Sequence, residues 1–543
     1  MRHTLQLTLL LTLACAGNAQ IGSEGCATCH AAIYQSYQRT PMARSARKLD
    51  PSGGPERFDK AAFTHEHSGF RYRVSVKKSG YIFEFAKDGL TGAKPLAYAV
   101  GSGTRAFSYL LEDDGFLYEA PVAYYAATKS WGLAPGYNTS SYPYLTRPIV
   151  PGCLDCHASS LQVVPATLNR YASPPFAEGG VACERCHGDG AKHAAKMQSG
   201  DRTGGLDILQ PAKMDPDRRD SLCSQCHLTG AVRVMRPGAD WRSFHPGATL
   251  SDSQTVFVRS PVSAGLTVTG HVEDLALSGC KRNAGDKLWC GSCHDPHTVP
   301  PPAEAAAFFR GRCLSCHAPK DCTETQAIRS QTKDNCIGCH MPKSQASDAQ
   351  HVVLTDHSIP RRPSRKNAGQ APVSDAPLTT FDGKPASLRD RALAYAIAAI
   401  GRTAGADRTR AIPLLEQAAR DDPRDIEVAL YLAEIYRNDG RNDMARPLYQ
   451  RAISLDPSQA TASVGLGGVM MESGNYREAI RLWTDALSKN AGLELVRLNL
   501  AAASLQIGDR TAAEFHLRKA LDLNPAFSPA REMLKKVVGN ASK

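Results

Sequence analysis

The sequence lacks any apolar run long enough to cross a bilayer: the stretch Leu5 to Leu13 is too short, and nothing later in the chain is long enough either. It also lacks a cluster of basic residues interleaved with aromatics. The formal charge of +11 is spread along 543 residues, so nothing points to a nucleic-acid partner. Aromatics are 7 % and charged residues 22 %, a composition that is neither disordered nor membrane-spanning. A chain of 543 residues exceeds one ordinary core, so two or three domains are expected.

What is present begins at the amino terminus. Arg2 and His3 precede the apolar run, and small residues around Gly17 to Ala19 follow it. This order of charged, apolar and small residues reads as a secretory signal over residues 1–19, and it places the mature protein in the periplasm or outside the cell. In a second reading Cys15, in "TLAC", is the lipidated first residue of a lipoprotein.

Cysteine is abundant, at 17 residues. Fourteen fall into seven copies of one pattern, CxxCH. The first six copies are Cys26/Cys29/His30, Cys153/Cys156/His157, Cys183/Cys186/His187, Cys223/Cys226/His227, Cys290/Cys293/His294 and Cys313/Cys316/His317; the seventh is Cys336, Cys339 and His340. Besides Cys15, only Cys280 and Cys322 remain, and two leftover thiols in an exported protein predict a disulfide between them, with two buried free thiols as the alternative.

Two thiols separated by two residues present both sulfurs on the same side, where they reach the two vinyl groups on one edge of a porphyrin. The histidine that follows then offers its imidazole to the iron. A zinc site or a redox dithiol also uses CxxC, but neither needs a histidine directly after the second cysteine. Histidine is 17 of 543 residues, so finding it after all seven pairs by accident has odds on the order of 10⁻¹¹. The pattern predicts seven covalently attached haem c groups, with the fourteen cysteines as attachment points and the seven histidines as iron ligands.

Residues 20–360 hold all seven motifs, and a long interval separates the first from the second. Within it Phe70, Tyr72, Val74 and Val76 alternate with Arg71, Arg73, Ser75 and Lys77; "KKSG" follows, and Tyr81, Phe83 and Phe85 alternate again. This is the pattern of a β-hairpin inside a β-rich insertion at about 60–130. Residues 361–388 are basic, proline-rich and aperiodic, and read as a linker.

Beyond residue 388 a 34-residue period appears. Ala411, Ala445, Ala479 and Ala513 share one column; Ala418, Ala452, Ala486 and Ala520 share another. Gly440, Gly474 and Gly508 mark turns, and Pro423, Pro457 and Pro525 sit on the same grid. Residues 389–543 thus resemble a tetratricopeptide repeat domain, with small residues where paired helices cross and a capping helix at 526–541. The whole is expected to be mainly α with a small β segment: a multihaem cytochrome c region followed by an all-α solenoid.

Outside the motifs, the signal and the repeats, eight histidines remain near seven irons. His193, His271, His297, His351 and His357 stand close to motifs and are expected as sixth ligands, because imidazole is a favoured axial ligand. His65 and His67 flank Glu66 before a strand, and His245 in "FHPG" reads as a loop residue.

The segments "CATCHAAIYQSYQRTPMARS", "CERCHGDGAKH", "CGSCHDPH" and "CIGCHMPK" resemble the multihaem cytochromes around the tetrahaem electron acceptor of hydroxylamine oxidoreductase, with pentahaem nitrite reductase a more distant relative. The resemblance spans roughly residues 22 to 360. It implies a distal histidine sixteen residues after the first cysteine, where this chain has Met42. A histidine–methionine iron of raised potential is the implied consequence.

The reading is an electron carrier rather than an enzyme: electrons pass along a chain of haems to a redox partner protein, and the repeats dock a protein partner. The alternative is a multihaem oxidoreductase acting on nitrite or hydroxylamine. The chain has no CxxCK variant of the nitrite reductase catalytic site.

Overall fold

A computed structural model describes residues 20–201, 203, 205–259, 266–349, 351–362, 375–400 and 405–539. The expected signal, Cys15 and residues 363–374 of the expected linker lie outside the described residues.

The expected fold class needs correction. Helix accounts for 43 % and strand for 18 %, and the amino-terminal region is built on a large antiparallel sheet rather than on a small β segment. Its strands are β1 (Ala46–Lys48), β2 (Ala62–Thr64), β3 (Arg71–Lys77), β4 (Gly80–Lys87), β5 (Leu90–Val100), β6 (Ala106–Asp113), β7 (Phe116–Tyr125) and β8 (Ser130–Leu133). They pair in the order β2 to β8, with β1 added along the end of β5. The sheet curls into a nearly closed barrel. Phe58, just ahead of β2, meets Trp131 of β8 with ring centroids 5.4 Å apart.

The hairpin β3–β4 is where the alternation placed it, with Arg71 opposite Ala86 and Lys77 opposite Gly80. The longer strands carry no alternation for a physical reason. On β7, Phe116, Tyr118, Ala120, Val122 and Tyr124 enter the barrel core. Leu117 enters a second cluster on the outer side with Leu154 and Tyr171, and Ala123 and Tyr125 a third with Val352 and Leu354. A strand covered on both faces has no polar side and therefore no period of two.

The carboxy-terminal region is all helix, as the repeat pattern predicts. The helix pairs are Leu388–Ala398 with Ala406–Asp421, Ile426–Asn438 with Asn442–Leu455, Ala460–Glu472 with Tyr476–Lys489, and Glu494–Gln506 with Arg510–Leu523; Ser528–Gly539 closes the stack. Ala411, Ala445, Ala479 and Ala513 are each 0 % exposed, since only a methyl group fits where paired helices cross. Gly440, Gly474 and Gly508 turn between helices at φ of +72°, +75° and +81°, a region that favours glycine.

This solenoid is fastened to the cytochrome region at both ends. At its start, strand Leu378–Thr380 pairs with Gln254–Arg259. Arg236 reaches the buried Asp390 at 2.7 Å, and Arg259 holds Asp407 through Nη2–Oδ2 at 2.5 Å and Nη1–Oδ1 at 3.2 Å. At its far end, Tyr142 packs on Phe527, Lys94 Nζ donates to the Asp522 carbonyl at 2.8 Å, and Ala526 joins the barrel core. Gly492 lies so close to Tyr118 that a Cβ there would stand 2.0 Å from the phenol oxygen.

Candidate haem-attachment sites

All seven motifs lie on or at the ends of helices. Cys26 and Cys29 are on Gly22–Tyr37, which kinks at His30 (φ −113°, ψ 38°). The others use short helices: Pro151–Asp155, Glu184–His187, Pro216–His227, Cys290–Cys293, Ala305–Leu314 and Cys336–His340. Local sequence starts several of them. Pro151 and Pro216 occupy first turns, the Asp215 carboxylate accepts from Arg218 N at 3.1 Å, and the Asn335 side chain accepts from Gly338 N at 3.1 Å. One helical turn puts the two thiols of a motif on the same face.

Backbone carbonyls fix the orientation of several imidazoles. Nδ1 of His187 stands 2.8 Å from the Leu209 carbonyl, that of His193 2.7 Å from Leu206, that of His340 3.0 Å from Pro360 and that of His357 3.0 Å from Thr355. A carbonyl only accepts, so Nδ1 carries the proton and Nε2 keeps a free lone pair for a metal. His297 has its Nδ1 3.2 Å from the Asp295 carboxylate. His65 is different: Nδ1 meets Ser68 Oγ at 2.7 Å and Nε2 meets the Asn138 carbonyl at 3.0 Å, which engages both nitrogens.

The rings also face one another across regular gaps. Two imidazoles on one metal, with bonds of about 2.0 Å and roughly 1.1 Å from nitrogen to ring centre, place their centroids about 6.2 Å apart. His30 and His193 are 6.3 Å apart with planes inclined by 14°. His187 and His297 are 6.0 Å apart at 24°, and His294 and His357 are 6.2 Å apart at 34°. These three separations are compatible in length with two imidazoles that would share one metal. His271 joins a tighter group, 5.1 Å from His227 and 4.9 Å from His357.

Desolvation by the surrounding protein favours the neutral form of five of the imidazoles. It lowers the pKa of His157, His227, His294 and His357. It takes His271 down to about 3, assisted by His227, His357, His294 and Arg105. A neutral imidazole is the form that binds metal. The thiols lie motif against motif: Cys26 beside Cys183, Cys156 beside Cys226, Cys223 beside Cys290, and Cys313 beside Cys336. Burial and then Cys183 push Cys26 up to about 12; contact with Cys290 and then burial push Cys223 up.

Cys339 is a half-buried free thiol on the helix Cys336–His340, and Cys29 an exposed one. What places Cys339 as an attachment point is its spacing from Cys336 and the histidine after it, His340, whose ring the Pro360 carbonyl orients.

The remaining candidates are placed as follows. The Met42 carbonyl accepts from Val181 N at 3.0 Å and from Ser45 Oγ at 2.8 Å; the same hydroxyl donates to the His157 carbonyl at 2.8 Å. His351 has its ring edge on Tyr125, centroids 5.2 Å apart, and among the described residues no imidazole faces it. His157 and His317 likewise face no second imidazole among the described residues. Cys280 and Cys322, expected as a disulfide, are instead both free thiols, Cys280 half-buried and Cys322 exposed. The carbonyls of Leu206, Leu209, Thr355 and Pro360 carry no signal in the sequence, because any residue supplies one.

Residues 25–73 and 138–188 match the family model described as cytochrome c554 and c-prime, and residues 389–526 match one described as tetratricopeptide repeat. The chain joins a cytochrome c554-type region to tetratricopeptide repeats. The first cytochrome segment takes in motif one, strands β1 and β2 and the start of β3, and the second cytochrome segment takes in motifs two and three. Together they support a cytochrome c with covalently bound haem c and a protein-interaction domain.

Among solved structures, a crystal structure of MamA matches at 20 % identity, covering 25 % of this chain and 80 % of that one, with a TM-score of 0.24. MamA AMB-1 matches at 28 % identity, covering 26 % and 74 %, with a TM-score of 0.23. No curated protein sequence matches this cytochrome–repeat chain. No helix among its described residues is long and apolar enough to cross a membrane.

Proposed function

We propose that this chain is an exported electron carrier that holds seven haem c groups, works in the periplasm or outside the cell, and uses its repeats to hold a partner protein beside its redox sites. The observation that carries the reading is the set of imidazole pairs about 6 Å apart, each led by a CxxCH histidine. The bound group supplies reversible one-electron chemistry at iron.

The chain's own residues do the rest. Fourteen cysteines would tether the groups, and the seven motif histidines would each supply an imidazole. His193, His297 and His357 would hold the group together with His30, His187 and His294, and His271 and His351 are further candidates. Met42 is kept as a proposed ligand, its carbonyl sharing the Ser45 hydroxyl with that of His157.

The alternative, an oxidoreductase for nitrite or hydroxylamine, has one observation in its favour: the His157 ring faces no second imidazole among the described residues.

Intact-mass measurement on protein matured in a periplasm tests the count: seven haem additions are expected, and six or fewer would refute it. His193→Ala should keep seven additions and convert one low-spin iron to high spin in the electron paramagnetic resonance spectrum. An unchanged spectrum would remove His193 from the ligand set.

A further inference from the structure

Contacts between the motif-bearing segments set an order that the sequence does not contain. The helix of motif four, Pro216–His227, lies against the segment of motif five. Arg219 stacks on Trp289 at 5.0 Å and donates to the Asp286 carbonyl at 3.0 Å, and Lys281 pairs with Asp220 at 3.3 Å. The motif-five helix Cys290–Cys293 packs on the motif-six helix Ala305–Leu314, with His294 against Phe309 at 5.5 Å. That helix packs in turn on the motif-seven helix Cys336–His340, and Arg310 pairs with Asp334 at 3.1 Å. The thiols of Cys223 and Cys290, and of Cys313 and Cys336, meet along the same line.

The polypeptide of this region has no core of its own. From Gly279 to Gln345 not one residue is buried, and Cys316 and His317 are exposed. Such a segment cannot offset its conformational entropy by apolar burial of its own side chains. Ion pairs and ring contacts join its helices.

We propose that motifs five, six and seven continue the row of attachment sites from motif four in sequence order, with motif six as the obligatory bridge to motif seven. The proposal rests on the carrier reading above. The segments that match the cytochrome family model end at residue 188, ahead of this region.

The exposed native thiol Cys322, directly after motif six, allows a test on the full holo-protein. A ruthenium photosensitiser is attached there, and electrons are injected by a laser flash. Injected electrons should spread through the haem absorbance, and in the Cys313→Ser/Cys316→Ser variant, with six groups by mass, the spread should slow at least tenfold. An unchanged rate in that variant would overturn the order. Failure of injected electrons to spread in the unsubstituted protein would instead overturn the carrier reading. Iron positions from anomalous diffraction of the unsubstituted holo-protein decide the order whether or not the variant folds. The motif-six iron should have those of motifs five and seven as its two nearest neighbours, and any other arrangement refutes the proposal.

Discussion

Replacing Asp407 by alanine should loosen the start of the repeat stack while leaving its far end in place. The Asp407 side chain is 2 % exposed and that of Arg259 13 %, and they meet through two contacts of 2.5 and 3.2 Å. Removing the acid leaves a nearly buried guanidinium whose remaining acceptor is the Ala376 carbonyl at 2.6 Å. Breaking a buried pair from one side costs roughly 3 to 5 kcal/mol; the residual exposure and the carbonyl favour the lower end, about 3 kcal/mol. That corresponds to an opening equilibrium about a hundredfold more populated.

Amide hydrogen exchange of the holo-protein reads this locally. Helices Leu388–Ala398 and Ala406–Asp421 should exchange about a hundredfold faster. Helices Glu494–Gln506 and Arg510–Leu523, seated on the barrel through Tyr142, Phe527 and Lys94, should not change. The pair Arg259→Met/Asp407→Leu should restore most of the protection, because an apolar couple removes both charges together. Unchanged exchange in the first two helices, or an equal loss through all nine, would refute the idea that this ion pair fastens the solenoid.

Glu494 is 3 % exposed, and burial raises its carboxyl pKa more than Asn524, Thr146 and Tyr142 lower it. A raised folded-state value means that its contribution is fully present below the unfolded value and is lost as pH rises through the folded value. Glu494→Gln should therefore raise the melting midpoint of the repeats by roughly 2 °C at pH 8 and change little at pH 4; a loss of stability at pH 8 would contradict this. Met42→His should abolish a near-infrared sulfur-to-iron charge-transfer band in the oxidised protein and lower one potential, leaving the others nearly in place. Absence of the band in the unsubstituted protein would make Met42 a packing residue.

Several features were legible without coordinates because their signals are local. CxxCH is a five-residue pattern, and the alanine columns at 411–513 and 418–520 are a fixed period. The hairpin from Arg71 to Lys87 showed a polar face against an apolar one. What depended on non-local packing was hidden. β7 is apolar on both faces because the barrel core covers one and the segments around Leu154 and Leu354 cover the other. The share of strand was underestimated for that reason.

Sequence by itself determined which residues can tether haem, that the carboxy-terminal third is a helical repeat, and which histidines are spare, since residue type and spacing carry each of these. Tertiary structure decided which spare histidine faces which motif. His193 reaches His30, and His357 reaches His294, across chain separations on which local spacing has no bearing. It also withdrew His65 from the pool by engaging both of its nitrogens. The repeats, expected beyond a linker, are fixed at both ends by Asp390, Asp407 and Phe527, because the partners of those residues come from parts of the chain far away in sequence. Composition and period act within a few residues, whereas ligand pairing and docking are set by which surfaces meet once the barrel and the solenoid have formed.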